Sequence, residues 1–178
     1  MRAITISGYS GCGKSYTSKL LSGELGLPYL CAGDVFRRFA HEAGSELVKY
    51  AETAPTEIDE QVNEAILEAY RNGDVVIDSR IGGFLCPDSI KIWLKCSEEE
   101  AARRIVYRNS LKGITTSEDV VLTQIRERNR NTRARLMGRY GFDLNYLNVY
   151  DLVIDNERLP PEKTLSLALF FVRMVNED

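Results

Sequence analysis

Histidine occurs once, at position 41, and the four cysteines at 12, 31, 86 and 96 include no C-x-x-C pair. These residues cannot assemble a zinc site among themselves, and reduced thiols in a cytoplasmic protein are the expectation. No apolar run is long enough for a bilayer: stretches such as Leu165–Val172 fall far short of a span. The opening Met1-Arg2-Ala3-Ile4-Thr5-Ile6 is interrupted by Gly8 too soon for a secretory leader. Positive charge is not in excess either, with Lys+Arg at 23, Asp+Glu at 26 and a net charge of -3. That balance disfavours a general duplex-binding protein. There is no internal repeat and no low-complexity tract.

What is present is an ordinary globular composition, 44% hydrophobic and 28% charged over 178 residues, which points to one compact domain that needs no staple. Short apolar runs alternate with longer helical patterns, the mark of an α/β fold with a mostly parallel sheet. Strands are expected at Ala3–Ser7, Tyr29–Cys31, Val75–Asp78, Ile90–Lys95 and Leu152–Asp155. Helices are expected over Lys14–Leu25, Asp34–Glu42, Ser45–Asn72, Ser97 onward, Ser117–Arg139 and from Pro160-Pro161 to the C-terminal end. Thr56-x-x-Asp59 and Ser97-x-x-Glu100 have the form of capping boxes. Five strands with helices on both faces result, and two helical excursions, 33–73 and 108–140, hang off a core of 1–32, 74–107 and 141–178.

Gly8-Tyr9-Ser10-Gly11-Cys12-Gly13-Lys14-Ser15 matches G-x-x-x-x-G-K-[ST] in full, between a buried strand and a helix. Glycines let main-chain N–H groups turn inward around phosphate oxygens, and the helix N-terminus adds partial positive charge at the same place. Lys14 can reach the β- and γ-phosphates, and Ser15 can ligate Mg²⁺. A tight turn that bound nothing would need neither the lysine nor the serine. Cys12 reads as a small filler inside the loop. Asp78 ends a strand of the kind that carries a magnesium-holding acid, with a plain strand-end turn acid as its other reading.

No N-K-x-D segment is present for reading guanine; the comparable place after Asp155 is Asn156-Glu157-Arg158. The chain is too short for a large motor ATPase, which leaves a small phosphotransferase. The arginine series Arg126, Arg128, Arg130, Arg133, Arg135 and Arg139 supports that choice. A solvated face is the ordinary reading of a charge run, but this run has only Glu127 for i,i+4 pairing, so phosphate contact is favoured. His41 and Trp93 read as helix-surface and core residues. Asp34, after Gly33, reads as a helix cap or a substrate contact.

With these motifs in place the chain resembles the nucleoside monophosphate kinases, and among them the archaeal-type cytidylate kinases. The resemblance runs through the P-loop, Ala32-Gly33-Asp34-Val35-Phe36-Arg37, Val76-Ile77-Asp78-Ser79-Arg80-Ile81-Gly82-Gly83 and Lys91-Ile92-Trp93-Leu94-Lys95. Tyr140-Gly141-Phe142-Asp143 and Tyr150-Asp151-Leu152-Val153-Ile154-Asp155 continue it. It implies ATP-dependent phosphorylation of a nucleoside monophosphate, CMP or dCMP first, with Mg²⁺. It also implies small nucleotides as partners, neither membrane nor nucleic acid, and a monomer or weak homodimer.

By the same resemblance Gly8 to Ser15 and Tyr16 would hold the donor phosphates, and Arg108 would stack on the adenine. Gly33, Arg37, Asp78 and Arg80 would hold the acceptor, Ser15 and Asp78 the metal. Lys14, Arg80, Arg128 and Arg135 would act on the transferring group. Three departures are visible: Thr132 stands where the family often has an acid between the lid arginines. Ala32 and Ile81 stand where bacterial-type enzymes have base-contacting Ser and Asp. Lys14 is present where archaeal-type loops often lack the lysine. A P-loop kinase for another small acceptor, such as dephospho-coenzyme A, stays open, as does a non-catalytic nucleotide- or RNA-binding protein.

Overall fold

A computed structural model describes residues 2–42 and 56–176. The elements are β1 (Ile4–Gly8), α1 (Lys14–Leu25), β2 (Tyr29–Cys31), α2 (Ala32–Glu42), α3 (Thr56–Arg71), β3 (Val76–Asp78), a short α4 (Gly82–Leu85), β4 (Ile90–Lys95), α5 (Glu98–Ser110), α6 (Glu118–Tyr140), a 3₁₀ turn (Leu147–Val149), β5 (Leu152–Asp155) and α7 (Pro161–Asn176). All strand pairings are parallel, in the order β2-β3-β1-β4-β5. The expected α/β fold with its five-stranded parallel sheet is the one observed. The part of the expected 45–72 helix before Thr56, and the side chain of its expected Thr56 cap, lie outside the described residues. Among the described residues no helix is long and apolar enough to cross a membrane.

Parallel strands need cover on both faces, and the period of two in each strand supplies it. Ile4, Ile6, Val76, Ile92 and Leu94 face one layer with Leu21 of α1 and Ala168 and Val172 of α7. Ala3, Ile77 and Trp93 face the other, with Val35 of α2, Val62 and Ile66 of α3, Leu136 of α6 and Tyr150. Trp93, 2% exposed, is core as expected, packed between Tyr9 and Tyr150 at centroid separations of 5.6 and 5.0 Å. A third small cluster of Ala101, Ala102, Val121 and Ile125 binds α5 to α6.

Tight packing fixes the turn after β3. A Cβ on Gly83 would lie 2.8 Å from Cε1 of Tyr150, itself buried against Trp93. Gly83→Ala is therefore expected to lower stability by about 1–3 kcal/mol, the usual range for overpacking, with a lower Tm by scanning calorimetry. An unchanged Tm would mean that Tyr150 yields without strain.

One expectation is revised, at α2. The helix after β2 starts at Ala32, so Asp34 sits inside its first turn and pairs with Arg37 three residues on rather than capping it. The Ser117 hydroxyl caps α6 by accepting from the Val120 N–H at 3.4 Å, as Ser97 does for α5 through Glu100 at 3.1 Å. His41 lies exposed on α2, as expected.

Candidate active site

The register sets Ile6 of β1 opposite Asp78 of β3, and Asp78 opposite Cys31 of β2. The strand ends, the loop 8–15 and the start of α1 therefore share one crevice, where α/β sheets place ligands. The loop is compressed from below. A Cβ on Gly8, at φ +145, would lie 2.4 Å from the Leu94 carbonyl oxygen, and one on Gly11 would lie 2.7 Å from Cβ of Ala101. Cys12 is 1% exposed and fills the space beneath the loop, the role expected of it.

Unlike α5 and α6, α1 begins at a left-handed glycine, Gly13 at φ 92, with no side-chain cap. Its first N–H groups are thus open to an anion. Lys14 Nζ folds back across the loop and donates to the Tyr9 carbonyl at 2.7 Å. The Ser15 hydroxyl donates to Asp78 Oδ2 at 2.5 Å. The same oxygen lies 3.4 Å from both the Tyr29 hydroxyl and Cys31 Sγ. Burial, then the Asp78 charge, pushes Tyr29 and Cys31 above their ordinary pKa values, so both stay protonated beside the carboxylate. Tyr16 is exposed on the first turn of α1.

Arg80 follows β3 and is the electrostatic focus of the crevice. Its Nη2 donates to Ser10 Oγ at 2.6 Å and its Nη1 to Thr132 Oγ1 at 3.0 Å. Both acceptors are neutral. Among the described residues no carboxylate lies within ion-pair distance of Arg80 or Arg128. Burial, then the charge of Arg128, brings the Arg80 pKa down to about 10, with Arg135 adding to the repulsion. Arg128 is exposed overall, yet desolvation of its guanidinium and the charges of Arg37, Arg108 and Arg135 lower its pKa as well. Guanidinium groups from α2, the β3–α4 turn, α5 and α6 thus converge on one region, a concentration of like charge that an anion would relieve.

The other helix-α6 arginines divide differently. Arg126 pairs with Glu98 and Glu99, and Arg133 with Asp143 at 2.9 Å. Arg135 and Arg139 share Asp59 of α3. Arg37 pairs with Asp34, so an incoming phosphate would compete for it. Gly33 gives that guanidinium its room: a Cβ there would lie 3.4 Å from Arg37 Nη1. Arg108 sits in the last turn of α5 and is exposed.

Two buried amides were not read from the sequence as site residues. Asn129 on α6, 5% exposed, accepts from the Ser10 N–H at 3.2 Å and donates to Glu98 at 3.0 Å. Asn156, 3% exposed, donates to the Cys12 carbonyl at 2.9 Å and is gripped by Arg104 through its side chain at 3.1 Å and its carbonyl at 2.7 Å. Next to it, Glu157 accepts from the N–H and hydroxyl of Ser97 at 2.6 and 2.8 Å. For Asn156 the signal was a polar residue just past a buried strand, and for Asn129, in the middle of α6, there was none.

Residues 3–158 match the model of the cytidylate kinase-like family. The chain is 36% identical over 169 residues to a cytidylate kinase of Pyrococcus horikoshii, covering 93% of this chain and 85% of that protein. To a cytidylate kinase of Ignicoccus hospitalis it is 36% identical over 166 residues, covering 91% and 94%. Its fold is similar to that of a gluconokinase from Sinorhizobium meliloti 1021, with a TM-score of 0.65 at 17% identity over 99% of this chain and 94% of that one.

Proposed function

This chain belongs to the cytidylate kinase-like family, and on that premise we propose that it transfers the γ-phosphoryl group of ATP to CMP or dCMP, giving ADP and the cytidine diphosphate. The observation that carries the reading is Arg80, a desolvated guanidinium that, among the described residues, is held by the neutral Ser10 and Thr132 hydroxyls beside an uncapped helix N-terminus. A buried cation without a carboxylate is costly unless an anion arrives. Arg128 and Arg135, whose charges act on Arg80, both come from α6.

In this reading 33–73 is an acceptor arm, 108–140 a lid, and 1–32, 74–107 and 141–178 the core. The amides of Gly8–Ser15 and the Lys14 ammonium hold the β- and γ-phosphates, with Tyr16 and Arg108 toward the donor nucleoside. Arg37 and Arg80 hold the acceptor phosphate, a fork geometry that lysine cannot supply. An acceptor oxygen attacks the γ-phosphorus and the bond to the β–γ bridging oxygen breaks. The attacking oxygen is already anionic, so no general base is needed. Arg128 and Arg135 neutralise charge on the transferring group, and catalysis is positioning and electrostatics.

Ser15 and Asp78 are hard oxygen donors brought together at 2.5 Å, and no group of three or more His, Cys, Asp or Glu side chains fit for a metal exists among the described residues. That set suits Mg²⁺, which takes one or two protein oxygens along with substrate phosphates and water. When bound, the ion supplies charge neutralisation to the phosphates.

The reading is tested by ADP release with Mg²⁺ against CMP, dCMP, UMP, AMP and dephospho-coenzyme A. Cytidine nucleotides are expected to give the highest kcat/KM. Preference for dephospho-coenzyme A or a purine, or turnover that no acceptor stimulates, would overturn it.

A further inference from the structure

We propose that Asp59 is a positioning residue for phosphoryl transfer: its carboxylate, on the acceptor arm, holds the lid residue Arg135 in place and is itself braced by Arg139. The inference deepens the reading above and rests on Arg135 being a lid arginine. Asp59 Oδ1 lies 3.2 Å from Arg135 Nη1, and Oδ2 lies 2.5 Å from Arg139 Nη1. The two arginines are one turn apart on α6, so a single carboxylate spans both, one oxygen each. Asp59 is the least exposed of the three, its side chain 19% accessible against 41% for Arg135. The pair is therefore screened less than an open surface bridge. One turn along α3, Asn63 Nδ2 donates to the Tyr140 hydroxyl at 2.8 Å. Arm and lid thus meet along a polar seam that joins residues 76 to 80 positions apart in the chain.

The electrostatics say what the carboxylate does. Arg135 repels Arg80 and Arg128, lowering the pKa of each, and that same repulsion acts to drive Arg135 out of the cluster. Asp59 opposes it. Only one nitrogen of Arg135 donates to Asp59, which leaves the rest of its fork for a phosphate. A guanidinium anchored at one corner has less freedom to lose when the transition state forms. The contact also makes arm position and lid-arginine position a single variable.

Steady-state kinetics of the full chain with CMP and ATP·Mg²⁺ test this. Asp59→Asn, with an unchanged circular dichroism spectrum, is expected to lower kcat by about 10- to 100-fold while KM for both substrates stays within about 3-fold. Asp59→Glu should recover part of the loss. In an Arg135→Ala background, adding Asp59→Asn should cost less than about 2-fold more, because the two changes remove one function. Arg126→Gln breaks ion pairs of the same helix with Glu98 and Glu99 and should leave kcat within about 2-fold. Wild-type kcat for Asp59→Asn, or a full additional loss on top of Arg135→Ala, overturns the proposal with the lid reading intact. Wild-type kcat for Arg135→Ala overturns the lid reading itself, and the proposal with it. Should Asp59→Asn fail to fold, Asp59→Ser goes through the same assays with the same expectations.

Discussion

Arg135→Ala is expected to lower kcat by about 10³-fold or more, the range over which arginines that stabilise a transferring phosphoryl group act, while KM for ATP changes little. The expectation follows from where the charge sits. Arg135 acts electrostatically on Arg80 and Arg128 at the crevice, yet its side chain remains 41% exposed, so the fold asks little of it. Its ion pair with Asp59 is shared, since Arg139 also holds that carboxylate. The stability loss should stay below about 1 kcal/mol, a Tm shift of about 2–4 °C for a chain of this size. Single-turnover kinetics separate the outcomes. A loss confined to the chemical step supports a transition-state role, and wild-type turnover by a folded variant removes Arg135 from the mechanism.

Lys14→Ala is expected to lower kcat/KM by about 10²–10³-fold, the usual loss when one preorganised donor to developing negative charge is removed. Lys14 has a second job: its ammonium donates to the Tyr9 carbonyl across the loop at 2.7 Å. A loop strut and a phosphate ligand make different demands. Loss of the strut costs about 0.5–1.5 kcal/mol of stability and leaves activity in the folded fraction untouched. Loss of the phosphate ligand lowers activity in fully folded protein. The expected result is lowered activity in the folded protein together with the small Tm drop that loss of the strut brings, and retained kcat/KM with a depressed Tm would assign Lys14 to the loop alone.

Much of this architecture could be read in the chain because the signals were local. The strands Tyr29–Cys31, Ile90–Lys95 and Leu152–Asp155 and the helix Lys14–Leu25 occupy the expected residues, since each is an apolar run or helical pattern bounded by glycine, proline or a cap. The P-loop was legible for the same reason: its chemistry is in its spacing. The division of labour among the α6 arginines was not. Counting i,i+4 partners found only Glu127, whereas the real partners of Arg126, Arg133, Arg135 and Arg139 are Glu98, Glu99, Asp143 and Asp59, brought in by tertiary packing. Among the described residues Arg128 and Arg130 stand outside that pairing, a division that the i,i+4 count could not show. Asn129 and Asn156 escaped for a related reason. An amide's role depends on being buried against a particular carbonyl or N–H, and burial of that kind is set by the fold rather than by neighbouring residues.

Thr132 shows the same point in reverse. A threonine in place of an acid between the lid arginines looks in sequence like a lost function. In the structure its hydroxyl accepts from Arg80, orienting the guanidinium without neutralising it, so the full charge remains for a phosphate.

The most direct test of the central claim is calorimetric titration of ATP with Mg²⁺ into the wild-type chain and into Lys14→Ala. If the loop amides, Lys14 and the arginine cluster form a phosphate cradle, the wild type takes up ATP saturably at one site and Lys14→Ala takes it up more weakly. Absence of binding heat for the wild type across several temperatures, or equal affinity in the two proteins, would contradict the account.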